Sequence, residues 1–292
     1  MRRGVETIAA GRTARPYGVF TSYLAFDRTD EEQLGRALAQ SDPDVLLDLA
    51  CYGPAEVEAV VHRFKGARYV FVSTGVYPDL DGRPAREADF VPLPGDPPGD
   101  LSYLDGKRWC ETALSRHGEF PWTVIRPPAI FGPADHTLRI AAYIQRVADG
   151  GPLLVPAESF ERQAGLAWVR DIGFACALAS DLRRNTLHRA YNAAFENVSL
   201  RNVIEGIARA LGLPARLHPI PFADLPEGAS PYGPDPRRSA GYVLDQARAE
   251  LGFEPSSLED ALAETLAWYR VVRPSHPGYA NRLAELAIAG TV

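Results

Sequence analysis

Short apolar runs alternate with longer amphipathic stretches over the first half of the chain. The runs "DVLLDLA" and "ARYVFVST" are typical of strands buried on both faces of a parallel sheet, and "VETIAA" and "VFTSYLAFD" are further strand candidates. Between them, "TDEEQLGRALAQS" predicts a helix capped by Thr29, and "PAEVEAVVHRF" predicts a helix that begins at Pro54. Strands that alternate with helices predict an α/β protein with a doubly wound parallel sheet.

The second half of the chain is mixed but less regular. Helices are predicted in "LRIAAYIQRVADGG", in "SLRNVIEGIARALG" with Ser199 as its cap and Gly212 as its stop, and in "SLEDALAETLAWYR" with Ser257 as its cap. The segment "GLAWVRDIGFACALASDL" predicts a short strand followed by a helix, "AYNAA" predicts a strand, and residues 214–236 predict a Pro-rich connector. We therefore divide the chain at residue 133. The second part contains a small C-terminal α/β region, and some of its segments return to the sheet.

Composition narrows the class of protein. A chain of 292 residues with 46% hydrophobic and 23% charged residues is typical of a soluble globular protein. The formal net charge of −6 disfavours a nucleic-acid partner. No run reaches the ~18 apolar residues that span a bilayer, and the start of the chain lacks the apolar core of a signal peptide. Cys51, Cys110 and Cys176 are odd in number and far apart in the sequence, which predicts reduced thiols, no metal site and a cytoplasmic location.

Tyr103 and Lys107 lie four positions apart in "YLDGKRWCETALSRHG", a predicted helix that follows a loop rich in Pro, Gly and Asp at residues 78–100. Residues at this spacing share a helix face. A Lys ammonium near a Tyr hydroxyl favours the phenolate and lowers its pKa from about 10, so that the phenol can exchange a proton near neutral pH. The alternative is two unconnected residues on a solvated helix face.

Ser73 and Thr74 follow the apolar run "YVFV", where a strand ends and a loop begins. Ligands of open α/β sheets bind at the carboxyl ends of strands, so a hydroxyl at this point is suited to hydrogen-bond a substrate oxygen. The alternative is an ordinary turn or helix cap, which Ser and Thr commonly supply.

Taken in order, these segments resemble the extended short-chain dehydrogenases/reductases of the NAD-dependent epimerase/dehydratase family of nucleotide-sugar enzymes. The matching pieces are "FDRTD", "DVLLDLACYGP", "YVFVSTGVYPD", "YLDGK", "VIRPPAIFGP", "WVRDIGFACALA", "AYNAA" and "VLDQARAELGFEPSSLEDALAETLAWY". The resemblance implies a Rossmann-like dinucleotide-binding domain at residues 1–133 and a mainly substrate-binding region at 134–292. It also implies a homodimer in which the helices around 54–64 and 103–116 pair across a two-fold axis.

The resemblance also implies roles for single residues. Tyr103 resembles the catalytic acid/base, Lys107 the partner that lowers its pKa, and Thr74 the hydroxyl that polarises the substrate. Because "STGVY" is one residue shorter than the usual spacing, Ser73 is the alternative substrate-binding hydroxyl, and Arg162 lies where relatives often direct an arginine towards the substrate. The positions that resemble cofactor contacts are Asp27, Arg28, Leu49, Ala50, Tyr103, Lys107, Arg126, Pro127 and Ile130.

The type of dinucleotide depends on the end of the first strand, "AAGR". An acidic residue at this point binds the ribose hydroxyls of NAD, whereas an arginine accommodates the additional phosphate of NADP. Arg12 and Arg15 therefore favour NADP over NAD. The alternative is that both are ordinary exposed loop arginines.

The chain departs from the family pattern at its amino end. Relatives begin with a strand and a glycine-rich turn that holds the pyrophosphate at a helix N-terminus, whereas Gly4, Gly11 and Gly18 have a different spacing. One strand–turn–helix unit, roughly 25 to 30 residues, has no counterpart, so the flanking strands are expected to lose a neighbour. A truncated start, a rearranged or borrowed strand, and a natural variant that has lost dinucleotide binding remain open.

These observations favour an NAD(P)-dependent epimerase, dehydratase or reductase that acts on a small molecule with a hydroxyl or carbonyl group, such as a sugar nucleotide. Two other classes stay open. One is a lyase, isomerase or cyclase that keeps Tyr103 and Lys107 without a redox step. The other is a non-catalytic relative that binds a dinucleotide or RNA.

Overall fold

A computed structural model describes residues 4–13, 18–230 and 241–290. Arg15 lies outside the described residues. The strands are β1 (Ile8–Gly11), β2 (Ser22–Ala25), β3 (Val45–Asp48), β4 (Arg68–Val72), β5 (Trp122–Arg126), β6 (Ala129–Phe131), β7 (Leu153–Pro156), β8 (Leu166–Trp168), β9 (Arg189–Asn192) and β10 (Leu217–Ile220). The helices are α1 (Glu31–Ser41), α2 (Pro54–Arg63), α3 (Tyr103–Arg116), α4 (Arg139–Ala148), α5 (Val169–Ala179), α6 (Leu200–Leu211), α7 (Leu258–Val272) and α8 (Arg282–Ile288).

The described strands form four sheets. The largest sheet has the order β3-β4-β5-β9, and β1-β2, β6-β8 and β7-β10 form separate two-stranded sheets. The pairs β1-β2, β3-β4, β6-β8 and β7-β10 are all parallel, with Val45 opposite Arg68 in the β3-β4 pair. Parallel strands joined by helices confirm the predicted α/β fold class.

Within the described residues, β1-β2 forms a sheet separate from the four-stranded sheet. β3 is the edge strand of the four-stranded sheet, although its sequence predicts burial on both faces. Leu47 within β3 is 39% exposed and Leu49 just after it is 61% exposed. Apolar side chains at the end of β3 are therefore exposed.

Some sequence-based assignments differ from the structure. The cap of α1 is Asp30, whose carboxylate accepts from the backbone amides of Glu32 and Gln33 at 3.0 Å. Thr29, the predicted cap, instead donates to the carboxylate of Asp27. The predicted connector contains β10, and neither β7 nor α8 was predicted. Both β7 and β10 contain a proline, a residue confined to strand ends and edges, so the sequence signal for a strand is weak there.

The backbone divides into two compact units, each built from separate segments. One contains Met1–Val76, Pro92–Val124 and Ala179–Arg189, and the other contains Tyr77–Val91, Ile125–Leu178 and Ala190–Val292. The core of the first includes the rings of Phe64 and Tyr69, which pack edge-on and tilted, respectively, against the ring of Phe120. The core of the second joins α4, α6 and α7 through Tyr143, Ile204 and Leu262. The division of function at residue 133 stays a prediction.

Within the described residues, no helix has the length and apolarity that crossing a membrane requires.

Candidate active site

The predicted Tyr–Lys pair lies at the start of α3. Ser102 caps this helix, because its hydroxyl accepts from the backbone amide of Asp105 at 3.1 Å. The helix therefore begins at Tyr103, and Lys107 follows one turn later on the same side. Because α3 packs against α2, the pair lies beside the loop that joins β3 to α2.

A close backbone contact holds α3 against that loop. A Cβ atom at Gly106 would lie 2.2 Å from the carbonyl oxygen of Tyr52, so only glycine allows the helix to approach so closely. The same contact brings Cys51 and Cys110 together, with 3.7 Å between their Sγ atoms. Residues that are far apart in the sequence thus become neighbours of Lys107.

Lys107 is buried at 2% exposure. Its ammonium donates to the carbonyl oxygen of Val72 at 2.8 Å, at the carboxyl end of β4. It lies 4.8 Å from the ring centroid of Phe71, 5.0 Å from that of Tyr52 and 5.9 Å from that of Tyr103. Burial lowers the pKa of Lys107, while nearby Cys51 is the first of the groups that oppose this shift.

Tyr103 is 58% exposed and its ring lies 6.1 Å from that of Tyr52. Partial burial raises the pKa of Tyr103, and a hydrogen bond with the side chain of Thr74 opposes the shift. This direction is opposite to the lowered pKa expected from the Tyr–Lys spacing. The reason is geometric, since the Lys107 ammonium is directed to the Val72 carbonyl and to ring faces. At neutral pH the phenol therefore keeps its proton.

Ser73 is 3% exposed, and its hydroxyl has no hydrogen-bond partner within the described residues. A buried hydroxyl without a partner has an unmet capacity to bind, which a ligand oxygen can satisfy. Thr74, Tyr103, Lys107 and Ser73 thus all lie near the carboxyl end of β4. Their roles in binding and catalysis stay predictions.

Asp48 organises the end of β3, and sequence reasoning missed it. Its carboxylate accepts from Arg28 at 2.8 Å, from the backbone amide of Ala50 at 3.1 Å and from the hydroxyl of Tyr69 at 2.9 Å. The signal was present in the sequence, because a carboxylate inside the apolar run "VLLDLA" requires buried partners. Asp48 positions the loop that carries Leu49 and Ala50.

Arg28 is engaged in ion pairs with Asp48 at 2.8 Å and Glu56 at 3.3 Å. Burial alone would lower the pKa of Arg28, but the carboxylate of Asp48 is the first of the charges that raise it above its usual range. These contacts join the end of β2 to the end of β3 and to α2. In this arrangement the guanidinium therefore supports the structure, and its predicted contact with the cofactor stays a prediction.

Arg12 and Asp27 lie at the carboxyl ends of β1 and β2. Arg12 is exposed and belongs to the charges that lower the pKa of Asp27, after the larger effect of hydrogen bonds from Thr29. The structure thus brings these two predicted dinucleotide residues near each other.

The remaining predicted site residues lie in the second compact unit. Arg126 is 3% exposed and donates to the hydroxyl of Tyr77 at 3.1 Å and to the carbonyl oxygen of Glu87 at 3.0 Å. Pro127 is buried, Ile130 pairs with Ala167 between β6 and β8, and Arg162 is exposed on a turn. Arg126 therefore supports the 77–91 segment, whereas the predicted cofactor contacts of Arg126, Pro127 and Ile130 stay predictions.

The implied dinucleotide fits the described residues only at one end. Lys107, Tyr103 and the unpartnered hydroxyl of Ser73 provide the polar groups that a ribose or nicotinamide amide requires. The pyrophosphate does not fit the described helix N-termini of the first unit, because each carries carboxylates in its first turn. These residues are Glu31, Glu32, Glu56 and Asp105.

Comparison with known proteins gives a sequence relative and several structural ones. No protein-family model matches the chain. The chloroplast stem-loop binding protein of 41 kDa b from Arabidopsis thaliana is 30% identical over 181 residues, which cover 59% of this chain. The match spans about half of that relative, 46% of its length.

Solved structures match over almost the whole chain. UDP-glucose 4-epimerase from Thermotoga maritima, with UDP-glucose, has a TM-score of 0.68, 18% identity and coverage of 94% of this chain and 93% of its own. The Thermus thermophilus UDP-glucose 4-epimerase complex with NAD has a TM-score of 0.67, 21% identity and coverage of 93% of each chain. This chain has the epimerase/dehydratase fold.

A dTDP-glucose 4,6-dehydratase from Bacillus anthracis, in complex with NAD, agrees with this result. Its TM-score is 0.68 at 17% identity, with coverage of 92% of this chain and 89% of its own. In open α/β sheets generally, ligands bind at the carboxyl ends of the strands. Identities this low establish the fold and leave the reaction to be argued from the site.

Proposed function

We propose that this protein is an enzyme of the epimerase/dehydratase type, in which Tyr103 exchanges a proton with a hydroxyl or carbonyl oxygen of a small substrate. The observation that carries the proposal is the half-exposed Tyr103 phenol, which lies beside the buried Lys107 ammonium, 5.9 Å from its ring centroid, and whose pKa the side chain of Thr74 lowers. The structural likeness to enzymes of UDP-glucose and dTDP-glucose supports a sugar nucleotide as the substrate class.

The chemistry of the site depends on the negative charge that develops on the substrate oxygen. The protonated phenol of Tyr103 donates its proton to this oxygen, and the hydroxyl of Thr74 donates a hydrogen bond to it. The ammonium of Lys107 is the nearby positive charge that stabilises a developing alkoxide or phenolate. In the reverse direction Tyr103 must first lose its proton.

A nicotinamide dinucleotide is the cofactor that this reaction class uses for its hydride. Tyr103 and Lys107 are the residues suited to its ribose end, and Arg12 favours NADP. Because the described helix N-termini do not fit the pyrophosphate, we assign no step to the cofactor. Titration of NAD(H) and NADP(H) against the fluorescence of the four tryptophans measures this binding directly.

The decisive variant is Tyr103→Phe, assayed for turnover of a panel of sugar nucleotides with each cofactor. Loss of one hydroxyl from a half-exposed side chain should leave the thermal unfolding temperature unchanged and reduce kcat by a factor of about 10² to 10⁴. Tyr269→Phe, in α7, is the matched control and should retain full activity. Wild-type turnover in Tyr103→Phe would remove Tyr103 from the mechanism.

A second candidate is a lyase, isomerase or cyclase that uses the same proton transfer without a redox cofactor. The acidic first turns of α1, α2 and α3 favour it, since they disfavour a pyrophosphate. This candidate would be supported if the wild type turns over substrate without NAD(H) or NADP(H) and Tyr103→Phe does not. A strict requirement for either dinucleotide would exclude it.

A third candidate is RNA binding, which the name of the Arabidopsis relative favours and the net charge of −6 opposes. We expect no specific binding of nucleic acid. Fluorescence anisotropy with a labelled stem-loop RNA at low and physiological salt tests this expectation. Sub-micromolar binding that survives physiological salt would establish RNA as a partner.

A further inference from the structure

Tyr52 has no role in the function proposed above, yet it lies against the central residue of the site. It follows β3, is 53% exposed, and its backbone carbonyl forms the close contact with Gly106. The centroid of its ring lies 5.0 Å from the Lys107 ammonium and 6.1 Å from the centroid of the Tyr103 ring. Tyr52 therefore contacts both members of the predicted pair.

Lys107 is an unusual residue in this chain. Lys65 and Lys107 are the only lysines among 31 basic Lys and Arg residues, and Lys65 is exposed. A buried ammonium loses its hydration, and one hydrogen bond to Val72 replaces only part of it. Ring faces provide the remainder, because the negative face of an aromatic ring attracts a cation.

Two rings share this contact with the ammonium. Phe71 is fully buried in β4 and belongs to the core, whereas Tyr52 is half exposed in a loop. The Phe71 ring therefore cannot be separated from folding, but the Tyr52 ring can be replaced. Of the two rings, Tyr52 is thus the one that a substitution can remove without disturbing the core.

We propose that Tyr52 is a positioning residue whose ring face holds the Lys107 ammonium in its charged form at its place beside the Tyr103 ring. The proposal rests on the proposed function only for its effect on catalysis. Five other titratable or charged groups among the described residues act on the ammonium, and they come from the neighbouring strands, helices and loops. They are Asp48 in β3, Cys51 in the following loop, Glu56 in α2, Cys110 in α3 and Arg28 after β2.

The test uses the full chain labelled with ¹³C at the lysine Cε atoms, which gives one NMR signal for each of the two lysines. Lys65→Arg assigns the signals, and the exposed Lys65 is the internal control. Tyr52→Leu removes the ring, and Tyr52→Phe keeps the ring and removes the hydroxyl. We expect Lys107 to titrate at lower pH in Tyr52→Leu than in the wild type and at an unchanged pH in Tyr52→Phe.

The expected fall in the pKa of Lys107 follows from the attraction between the ammonium and the Tyr52 ring. A ring that stabilises the charged form raises the pKa of the amine, so its loss adds to the lowering that burial already causes. An unchanged Lys107 titration in Tyr52→Leu would overturn the proposal. A shift in Tyr52→Phe equal to that in Tyr52→Leu would also overturn it, because the hydroxyl would then be the cause.

Folding is checked by thermal unfolding of each variant. Should Tyr52→Leu not fold, Tyr52→Met keeps the bulk without a ring and is held to the same outcomes. Where turnover exists, Tyr52→Leu should lower kcat about fivefold to tenfold with little change in KM, while Tyr52→Phe stays within about twofold. A ring-dependent NMR titration without turnover in any variant supports the positioning role and refutes the proposed function separately.

Discussion

At the scale of single residues, the environment of each side chain decides its chemistry more than its spacing does. The four-residue spacing of Tyr103 and Lys107 predicted a phenol with a lowered pKa. In the structure the amine faces a carbonyl and aromatic rings, and partial burial raises the pKa of Tyr103. The resting phenol is therefore an acid.

This protonation state has a consequence for the pH dependence of catalysis. In the direction that protonates a carbonyl oxygen, kcat/KM should stay level through neutral pH and fall as pH rises through the raised pKa of Tyr103. In the direction that oxidises a hydroxyl, it should rise over the same range. Measurement of kcat/KM from pH 6 to 11 in both reaction directions tests this pH dependence. A change in kcat/KM that is centred near neutral pH would contradict it.

Asp48 supports the site through buried partners, so its loss should affect stability. Asp48→Ala leaves Arg28 without its shortest ion pair and Tyr69 without an acceptor, at a cost of about 2–4 kcal/mol in the free energy of unfolding. Denaturant unfolding measures this cost.

The matched control for Asp48 is Glu32→Ala in the exposed Glu32–Arg36 pair of α1. That change should cost less than about 0.5 kcal/mol, because exposed ion pairs contribute little. If Asp48→Ala and Glu32→Ala lower the free energy of unfolding equally, the buried contacts of Asp48 do not stabilise the fold more than an exposed ion pair does.

At the scale of elements, helix α3 is placed by one glycine. Residues Gly106, Lys107 and Trp109 to Leu114 are buried, so the helix is covered on most sides. The contact of Gly106 with the Tyr52 carbonyl sets its distance from the loop after β3. The geometry of Tyr103 and Lys107 therefore depends on a residue that carries no chemistry.

Gly106→Ala should displace α3 and lower both stability and activity. Its Cβ would lie 2.2 Å from a backbone oxygen that cannot rotate away, which we expect to cost about 1–3 kcal/mol despite the higher helix propensity of alanine. Gly173→Ala in α5 is the control, since no atom of the described residues from outside its own stretch of helix lies within 4 Å of its Cβ position. That variant should be stabilised by about 0.5–1 kcal/mol. A neutral Gly106→Ala would show that the contact is not close in solution.

At the scale of the whole molecule, the sheet is divided between β1-β2 and the four-stranded sheet. The Arg28–Asp48 ion pair joins the end of β2 to the end of β3 across this division. Apolar side chains at the end of β3, including Leu47 and Leu49, are exposed near the candidate site.

The predicted homodimer belongs to this scale. Most of α3 is buried within the chain, so the exposed face of α2 is the surface that remains for pairing of the two helices. If that pairing occurs, Ala55→Arg on the exposed side of α2 should convert a dimer to a monomer by light scattering. A dimer that persists in Ala55→Arg would place the interface elsewhere.

The sequence by itself determined the α/β class, the strands that follow apolar runs, and the helix starts at Pro54, Tyr103, Ser199 and Ser257, because these depend on local patterns and caps. It missed β7, β10 and α8, whose local signals are weak. Only the tertiary structure decided that Asp48 organises the end of β3, that Cys51 contacts Cys110, and that Lys107 faces rings rather than a hydroxyl. The physical reason is that burial and charge at a site depend on residues brought together from distant parts of the chain.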